Sequence, residues 1–349
     1  MTLLAIENDV KLAPFTTLKI GGNARYFTRA STEEHVAEAV KFAHEQGIGL
    51  FVLGGGSNVL IADEGFDGLT LQIALKGISA VEDASNDNVL VTVGAGEDWD
   101  QFVEYCVDRD LAGVESLSGI PGLVGGTPIQ NVGAYGQDVS ETIVSVRCFD
   151  RTTSNVVDLD RDQCGFAYRS SIFNTTDRDR YVVLGVTFAL VRGGQPKVVY
   201  SDLVKHFGDQ RPTLREVRDT VLNIRRSKSM VIDDADPNSR SAGSFFKNPV
   251  IPRARFDEIN RLNGGAPSFD AGPDAVKVPA AWLIEKSGFG KGFEFGRAGI
   301  SSRHTLALIN RGDAAAAEII ALKEKIQNSV LDKFGISLQP EPVFVGFSQ

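Results

Sequence analysis

Apolar residues recur at two different spacings along the chain, and the spacing separates the expected helices from the expected strands. Between positions 36 and 43 they stand three or four residues apart, which predicts a helix. Residues 31–34 have the Ser-x-x-Glu form of a capping box, and Gly47 suits the position after the helix. The unbroken apolar run at 50–53 predicts a buried strand, so this part of the chain indicates strand, helix, strand.

The same two patterns continue towards the end of the chain. Strand-like runs lie at 89–96, 143–149, 155–158 and 181–191. Three further helices are expected: one capped by Asp98 and carrying Trp99, Phe102, Val103 and Cys106; a short one at 280–285; and a long one opened by Asp313, carrying Ile319, Leu322, Ile326, Val330 and Phe334, and ended by Gly335. This mixture of helices and strands predicts an α+β protein.

Residues 119–136 hold the densest glycine cluster, with six glycines and two prolines. The apolar residues there follow neither a helical nor a strand period, which predicts an irregular but buried segment. Buried N–H groups need partners, and glycine permits both positive φ and close approach of a ligand, so this backbone is suited to form an anion-binding nest. A tight structural crossover between strands is the alternative.

A second glycine cluster, Gly-Gly-Gly-Ser-Asn at 54–58, follows the strand expected at 50–53. It leads into another strand-like run at 59–61, whereas a dinucleotide fingerprint or a P-loop would open a helix. The classical dinucleotide-binding fold and the P-loop are therefore disfavoured. A loop that holds a pyrophosphate with backbone amides remains open.

Composition narrows the functional classes. A chain of 349 residues predicts two or three domains, and a net charge of -9 with a pI of about 5.1 argues against a nucleic-acid partner. No basic segment of the signal-peptide kind opens the sequence, and no apolar run is long enough to span a membrane. Three cysteines without C-x-x-C spacing predict free buried thiols in a reducing cytosol, and four scattered histidines predict no metal site.

Three short segments carry candidate chemistry. Ser244 lies between a glycine and two phenylalanines, lacks the context of an acyl-transfer nucleophile, and is suited to donate a proton to a basic carbon. Arg169 follows Tyr168 in an apolar run and needs a carboxylate or phosphate, although a structural ion pair would also satisfy it. Two prolines hold Glu341 extended; a solvated glutamate is the alternative.

A basic run at 225–228 precedes a polar, proline-containing run at 233–240. The basic run would let an acidic protein bind an anionic ligand. The polar run predicts a domain boundary, or a flexible loop without a role in the chemistry.

Taken together, these motifs resemble the UDP-N-acetylenolpyruvoylglucosamine reductases. The motifs that carry the resemblance are 15–22, 54–60, 119–136, 168–173, 243–249 and 340–342, which occur in the family's order across nearly the whole chain. The length and Tyr200 resemble the longer subtype, which has an extra loop over the substrate.

The resemblance implies an α+β fold: the FAD-binding fold of the vanillyl-alcohol-oxidase (PCMH) type, with two α+β subdomains, plus a C-terminal α/β substrate-binding domain. The expected boundaries are 1–68 and 69–229 for the two FAD-binding subdomains, 230–336 for the substrate-binding domain, and 337–349 for a C-terminal strand that returns to the active site.

The resemblance also implies a reaction. NADPH reduces FAD and leaves, and the enolpyruvyl sugar nucleotide then takes hydride at its methylene carbon, which forms UDP-N-acetylmuramate for peptidoglycan. Arg169 and Glu341 are expected to polarise the substrate carboxylate, and Ser244 to deliver the proton. The cofactor-binding residues implied are Gly54, Gly55, Gly56, Ser57, Asn58, Ser116, Ile120, Pro121, Gly122, Gly125, Gly126, Gln130, Asn131, Gly133 and Ala134.

The substrate-binding residues implied are Tyr168, Tyr200, Lys228, Asn248 and Lys286. Lys286 departs from the family pattern, where glutamine is usual, and a longer charged side chain there would reach another phosphate or carboxylate. We expect a cytoplasmic monomer whose only partners are small molecules. Two other functions stay open: an FAD oxidase acting on a free sugar or lactone, and a sugar-nucleotide sensor without turnover.

Overall fold

The computed structural model describes residues 4–83 and 88–347. The helices are α1 (Glu33–Glu45), α2 (Trp99–Asp108), α3 (Ser201–Phe207), α4 (Leu214–Ser227), α5 (Arg253–Asn263), α6 (Ala280–Lys286) and α7 (Ala316–Phe334). The strands are β1 (Glu7–Lys11), β2 (Asn23–Ala30), β3 (Gly49–Leu53), β4 (Val59–Ile61), β5 (Phe66–Ile73), β6 (Ile78–Glu82), β7 (Asn88–Gly94), β8 (Leu111–Ala112), β9 (Gly133–Ala134), β10 (Gln137–Asp138), β11 (Ile143–Asp150), β12 (Asn155–Asp160), β13 (Tyr181–Arg192), β14 (Val250–Pro252), β15 (Phe269–Asp270), β16 (Ala275–Lys277), β17 (Glu294–Phe295), β18 (Ala298–Ile300), β19 (Leu308–Asn310) and β20 (Val343–Val345).

The chain divides into two units by its internal contacts. The first comprises Met1–Val10, Ala24–Gly56 and Asp67–Ser227, and the second comprises Lys11–Asn23, Ser57–Phe66 and Lys228–Gln349. The domain boundaries expected from the sequence stay predictions. Their outermost ends, at residues 1–3 and 348–349, lie outside the described residues.

The first unit is built on two sheets. One has the order β1-β2-β5-β3, with β3 and β5 parallel, and the other has the antiparallel order β12-β11-β13-β7-β6, with β8 beside β13. Buried residues of both sheets pack with α1 and α2 in a single apolar core. This confirms the strands expected around 50–53, 89–96, 143–149, 155–158 and 181–191.

The second unit has a separate hydrophobic core and several small sheets. Its strands pair in the orders β14-β16-β15 and β17-β18-β19, and β20 runs parallel to β4. The buried faces of α5, α6 and α7 pack with Phe245 and Phe246. The apolar residues expected on one face of the long helix are all buried there, and Gly335 ends that helix with φ of 64°, as predicted.

Of the three helix starts for which the sequence predicts a cap, one is confirmed and two differ: the Asp98 carboxylate caps α2 by accepting from the Gln101 N–H at 3.0 Å, as predicted. At α1 the cap is Thr32 rather than Ser31, because the Thr32 hydroxyl accepts from the His35 N–H at 3.2 Å. Asp313 does not open α7: it lies in a left-handed turn with φ of 52°, and the residue at the cap position is an alanine without an acceptor.

The acceptor for α7 comes from a distant part of the chain. The Asp63 carboxylate accepts from the N–H groups of Ala316 and Ala317, at 2.7 and 3.1 Å. A carboxylate at this end of a helix also interacts favourably with the helix dipole. No helix among the described residues is long and apolar enough to cross a membrane.

Candidate active site

The two glycine clusters meet in the first unit. The loop after β3 passes so close to the second cluster that a Cβ on Gly55 would lie 2.7 Å from the Gly122 Cα. Gly56 and Gly122 have φ of 63° and 125°, which side chains disfavour. Backbone contact and backbone conformation therefore account for these three glycines.

Gly54 and Gly126 have no such explanation in the protein itself. Neither has a positive φ, and no described atom beyond their chain neighbours lies within 4 Å of a Cβ built on either. By contrast, a Cβ on Gly125 would lie 2.6 Å from the Ala95 Cβ. Bare backbone that faces open space on the two glycine clusters fits the close approach of a ligand such as FAD.

Hydrogen bonds hold the second cluster against its surroundings. The N–H of Gly125 donates to Ala95 at 2.9 Å, and the carbonyl of Gly122 accepts from Trp99 at 3.0 Å. Ser116 is fully buried, and its N–H donates to the Gln137 side chain at 2.9 Å. The predicted cofactor-binding residues from Ser116 to Ala134 thus belong to a segment whose shape is set by neighbouring backbone.

Asn131 links this segment to the arginine motif. It has φ of 46°, its side-chain amide donates to the Ala167 carbonyl at 3.0 Å, and its side-chain oxygen accepts from the Ser140 N–H at 3.2 Å. The side chain thus makes hydrogen bonds inside the protein. These hydrogen bonds hold the loop in position, and the predicted contact of Asn131 with the cofactor stays a prediction.

Arg169 is held against the glycine segment. It has φ of 52°, its guanidinium donates to the carbonyls of Gly133 and Asn131, and it lies 3.5 Å from an Asp138 oxygen. A backbone strained in this way persists only where its surroundings impose it, which is typical of functional sites. The carboxylate that the sequence demanded is therefore partly supplied by Asp138, a residue that the sequence analysis did not single out.

Two aromatic residues proposed for the substrate lie in different surroundings. The Tyr168 ring is half exposed, with the Arg169 guanidinium 5.2 Å from its centroid. Tyr200 immediately precedes α3 and packs edge-on against Tyr135, with ring centroids 5.2 Å apart. Burial raises the pKa of Tyr200 and so further favours the protonated hydroxyl.

The basic run at 225–228 does not form one charged surface. Arg225 is only 6% exposed and hydrogen-bonds to Tyr135, while Arg226 is exposed beside Asn223. Burial lowers the pKa of Arg225, and Tyr135 opposes that shift. Lys228, half-buried just after α4, is the member of the run that is predicted to bind substrate.

In the second unit the structure brings Ser244 and Glu341 into neighbouring segments. The Glu341 N–H donates to the Phe245 carbonyl at 2.9 Å, and Phe246 pairs with Pro340. Asn58 extends the group: its side chain donates to the Glu341 carbonyl at 3.3 Å, and its carbonyl accepts from the Val343 N–H at 2.9 Å. The extended backbone that the two prolines impose around Glu341 suits this pairing.

The Ser244 hydroxyl lies 3.3 Å from the Nε2 atom of His304. Sequence reasoning missed His304, because nothing in the spacing of four isolated histidines indicates a contact with a serine sixty positions away. Gly243, with φ of 71°, provides the turn that precedes the serine.

Asn248 and Lys286 lie at opposite ends of α6. The Asn248 side-chain oxygen accepts from the Ala280 N–H at 2.9 Å and so caps the helix start. Lys286 is exposed at the last position, which is about 9 Å further along the helix axis. The structure therefore gives Asn248 a fixed orientation and leaves the role of Lys286 as a prediction.

The polar run at 233–240 is folded rather than an open loop. Asp236 caps a short 3₁₀ helix, Pro237–Ser239. The Asn238 side-chain oxygen accepts from the Ser302 N–H at 2.9 Å and from the hydroxyls of Ser301 and Ser302, each at 3.2 Å. The run thus braces the segment that carries His304.

Two family models match the chain and define its class as an FAD-containing oxidoreductase. A family model described as an FAD binding domain matches residues 24–160, and one described as the C-terminal domain of UDP-N-acetylenolpyruvoylglucosamine reductase matches residues 236–345. The fold of the first unit is the FAD-binding fold of the PCMH type, as predicted.

Similar proteins extend the likeness to the whole chain. A UDP-N-acetylenolpyruvoylglucosamine reductase from Thermobifida fusca is 48% identical, with 98% of each chain covered. One from Cutibacterium acnes is 44% identical over 99% of this chain and 92% of its own. The crystal structure of the reductase from Thermus caldophilus shares the fold, with a TM-score of 0.66 and 23% identity over 98% of this chain and 100% of the other.

The chain belongs to the UDP-N-acetylenolpyruvoylglucosamine reductase family. The predicted resemblance, the α+β fold, the FAD-containing enzyme class and the cofactor pair FAD and NADPH are thereby confirmed. The assignments of individual site residues stay predictions.

Proposed function

We propose that this protein reduces the enolpyruvyl ether of UDP-N-acetylglucosamine to UDP-N-acetylmuramate, a step in peptidoglycan precursor synthesis. Family membership supports this reaction over a sugar oxidase or a sensor without turnover. The structural observation that carries the assignment is the pairing of the Ser244 and Glu341 segments, because it unites two motifs that are far apart in sequence.

The residues present fit FAD at the glycine clusters, with Gly54 and Gly126 as the bare backbone that the cofactor would cover. FAD bound there would supply the hydride-transfer chemistry between NADPH and the methylene carbon of the substrate. The protein contributes position, charge and a proton.

Hydride addition places negative charge on the substrate carbon next to the carboxylate. Arg169 and Glu341 are assigned to the substrate carboxylate, where a fixed guanidinium stabilises charge as it develops. Asp138 and two carbonyls hold that guanidinium in place before substrate arrives. The Ser244 hydroxyl is assigned the proton transfer, because a strong carbon base needs only a weak acid within reach.

Two half-reactions, followed separately without oxygen, test these roles. Ser244→Ala should be reduced by NADPH at nearly the normal rate, and its reoxidation by substrate should slow roughly 10²–10⁴-fold, as for loss of a positioned acid. Glu341→Gln should show the same asymmetry. Ser79→Ala, on an exposed position of β6, controls for an ordinary loss of hydroxyl. Equal slowing of both half-reactions, or of neither, would make Ser244 a structural residue.

We also propose that the enzyme is a cytoplasmic monomer. The three cysteines are buried and unpaired, as expected in a reducing compartment, and burial raises the pKa of Cys164 to about 12, so these thiols are unreactive. Light scattering coupled to size-exclusion chromatography would test the monomer, and fractionation of cells would test the location.

A further inference from the structure

His304 lies beside the proposed proton donor, and the reaction as described so far gives it no role. Its Nε2 atom lies 3.3 Å from the Ser244 hydroxyl oxygen, and both residues are half-buried. Catalytic hydrogen bonds are often long before substrate binds, so this separation is compatible with a working contact. A serine hydroxyl has one proton, and which atom donates in this pair therefore decides what Ser244 can do.

The contact is held by backbone on both sides. The Phe245 N–H donates to the Leu306 carbonyl at 2.8 Å, which ties the residue after Ser244 to the segment after His304. Within that segment the Ser301 N–H donates to Ala307 at 2.9 Å, and the Ala307 N–H donates to His304 at 3.1 Å. The imidazole is therefore carried on a closed turn.

Two side chains brace the same turn from outside. The Thr305 hydroxyl donates to the Glu285 carboxylate at the end of α6. Asn238, from the polar run at 233–240, accepts from the N–H of Ser302 and from the hydroxyls of Ser301 and Ser302. Such support is needed where a side chain must hold one geometry against thermal motion.

We infer that His304 is a positioning residue for the protonation step, and the inference rests on the proposed role of Ser244. Its Nε2–H donates to the Ser244 oxygen. The single hydroxyl proton is then directed away from the imidazole and is available to the substrate carbon. If Ser244 donated to Nε2 instead, its hydroxyl proton would point at the imidazole and would not be available to the substrate carbon.

The proton balance closes with groups already named. The hydride comes from the established reaction, and the Ser244 O–H bond breaks as the new C–H bond forms at the substrate carbon. The Nε2–H bond then breaks as its proton passes to the serine oxygen, and a hydronium ion of the solvent returns a proton to Nε2, so that the net reaction adds one hydride and one solvent proton to the substrate. No further oxidant or reductant is required.

The first test reads the tautomer directly, without turnover. Selective ¹⁵N labelling of histidine in the oxidised holoenzyme gives ring signals from only four residues, and the pair of ring signals that is lost in His304→Gln belongs to His304. The expected result is an Nε2 that carries a proton and whose shift changes in Ser244→Ala. An Nε2 without a proton, accepting from the serine, would overturn the inference.

The second test separates positioning from general support of the fold. His304→Leu should slow reoxidation by substrate about 10- to 100-fold, the size expected for losing a hydrogen bond to a charged group, with FAD reduction by NADPH and substrate KM nearly unchanged. His304→Gln, which keeps an N–H at the same reach, should recover most of that rate. His44→Leu, on the exposed side of α1, is the matched control.

The double variant separates the role of His304 from the role of Ser244. Ser244→Ala with His304→Leu should be no slower than Ser244→Ala alone, because the imidazole acts only through the hydroxyl. If Ser244→Ala is impaired and His304→Leu is normal, the inference fails and the proposed function stands. If Ser244→Ala reoxidises normally, the role of Ser244 itself fails.

Discussion

The glycines that face open space offer the sharpest test of the cofactor site. Gly54→Ala and Gly126→Ala each add one methyl group where no described atom beyond the chain neighbours lies within 4 Å, and neither residue has a positive φ. Alanine at a compatible backbone position usually stabilises a protein by about 0.4–1 kcal/mol, because it restricts the unfolded chain. The apo-protein should therefore be unchanged or slightly more stable.

FAD affinity should move in the opposite direction. If the cofactor covers this backbone, a methyl group occupies its space, and we expect affinity to fall at least about tenfold, which corresponds to about 1.4 kcal/mol. Titration of apo-protein with FAD measures the affinity, and thermal unfolding with and without FAD measures the stability. The increase in melting temperature that FAD produces should shrink in both variants.

Two further glycine variants serve as matched controls for FAD affinity and for the stability of the apo-protein. Gly290→Ala also faces open space without positive φ, but Gly290 belongs to the second unit and to neither glycine cluster, so its FAD affinity should be normal. Gly55→Ala places a methyl group 2.7 Å from the Gly122 Cα and should destabilise the apo-protein as well. Full FAD affinity in Gly54→Ala and Gly126→Ala would refute the proposal that FAD covers this backbone. If either variant had an apo-protein as unstable as that of Gly55→Ala, the added methyl group would not face open space.

Three further outcomes follow from other contacts. Asp63→Ala should lower the free energy of unfolding by about 1 kcal/mol in a urea titration, since α7 loses its cap, while Asp63→Asn should lower it less. Hydrogen bonds from Arg180 hold the pKa of Asp150 well below its usual range, so Asp150→Asn should be less stable near pH 7, with a difference that fades as the pH falls below about 4; a constant difference would refute this. Lys228→Ala and Tyr200→Phe should raise substrate KM more than they slow FAD reduction by NADPH; an unchanged KM in Lys228→Ala would place that residue on an ordinary surface.

Local sequence patterns determined most of the helices and strands. Period and capping residues placed the strands around 50–53, 143–149 and 181–191 and the buried face of α7, because side chains close in sequence decide those features. The glycine clusters were recognisable for the same reason. The family could also be predicted from the sequence, because its motifs and their order along the chain can be recognised without a structure.

Contacts between distant segments decided the rest. Nothing near Ala315 indicates that Asp63 caps α7, and no spacing pairs His304 with Ser244 or Asp138 with Arg169. The same holds for the glycines. The sequence shows that Gly54 and Gly55 lack side chains, but only the folded structure shows that a Cβ on Gly54 would face open space and that a Cβ on Gly55 would clash with Gly122. Hydrogen bonds act over about 3 Å, so a partner from a remote segment becomes visible only once the chain has folded.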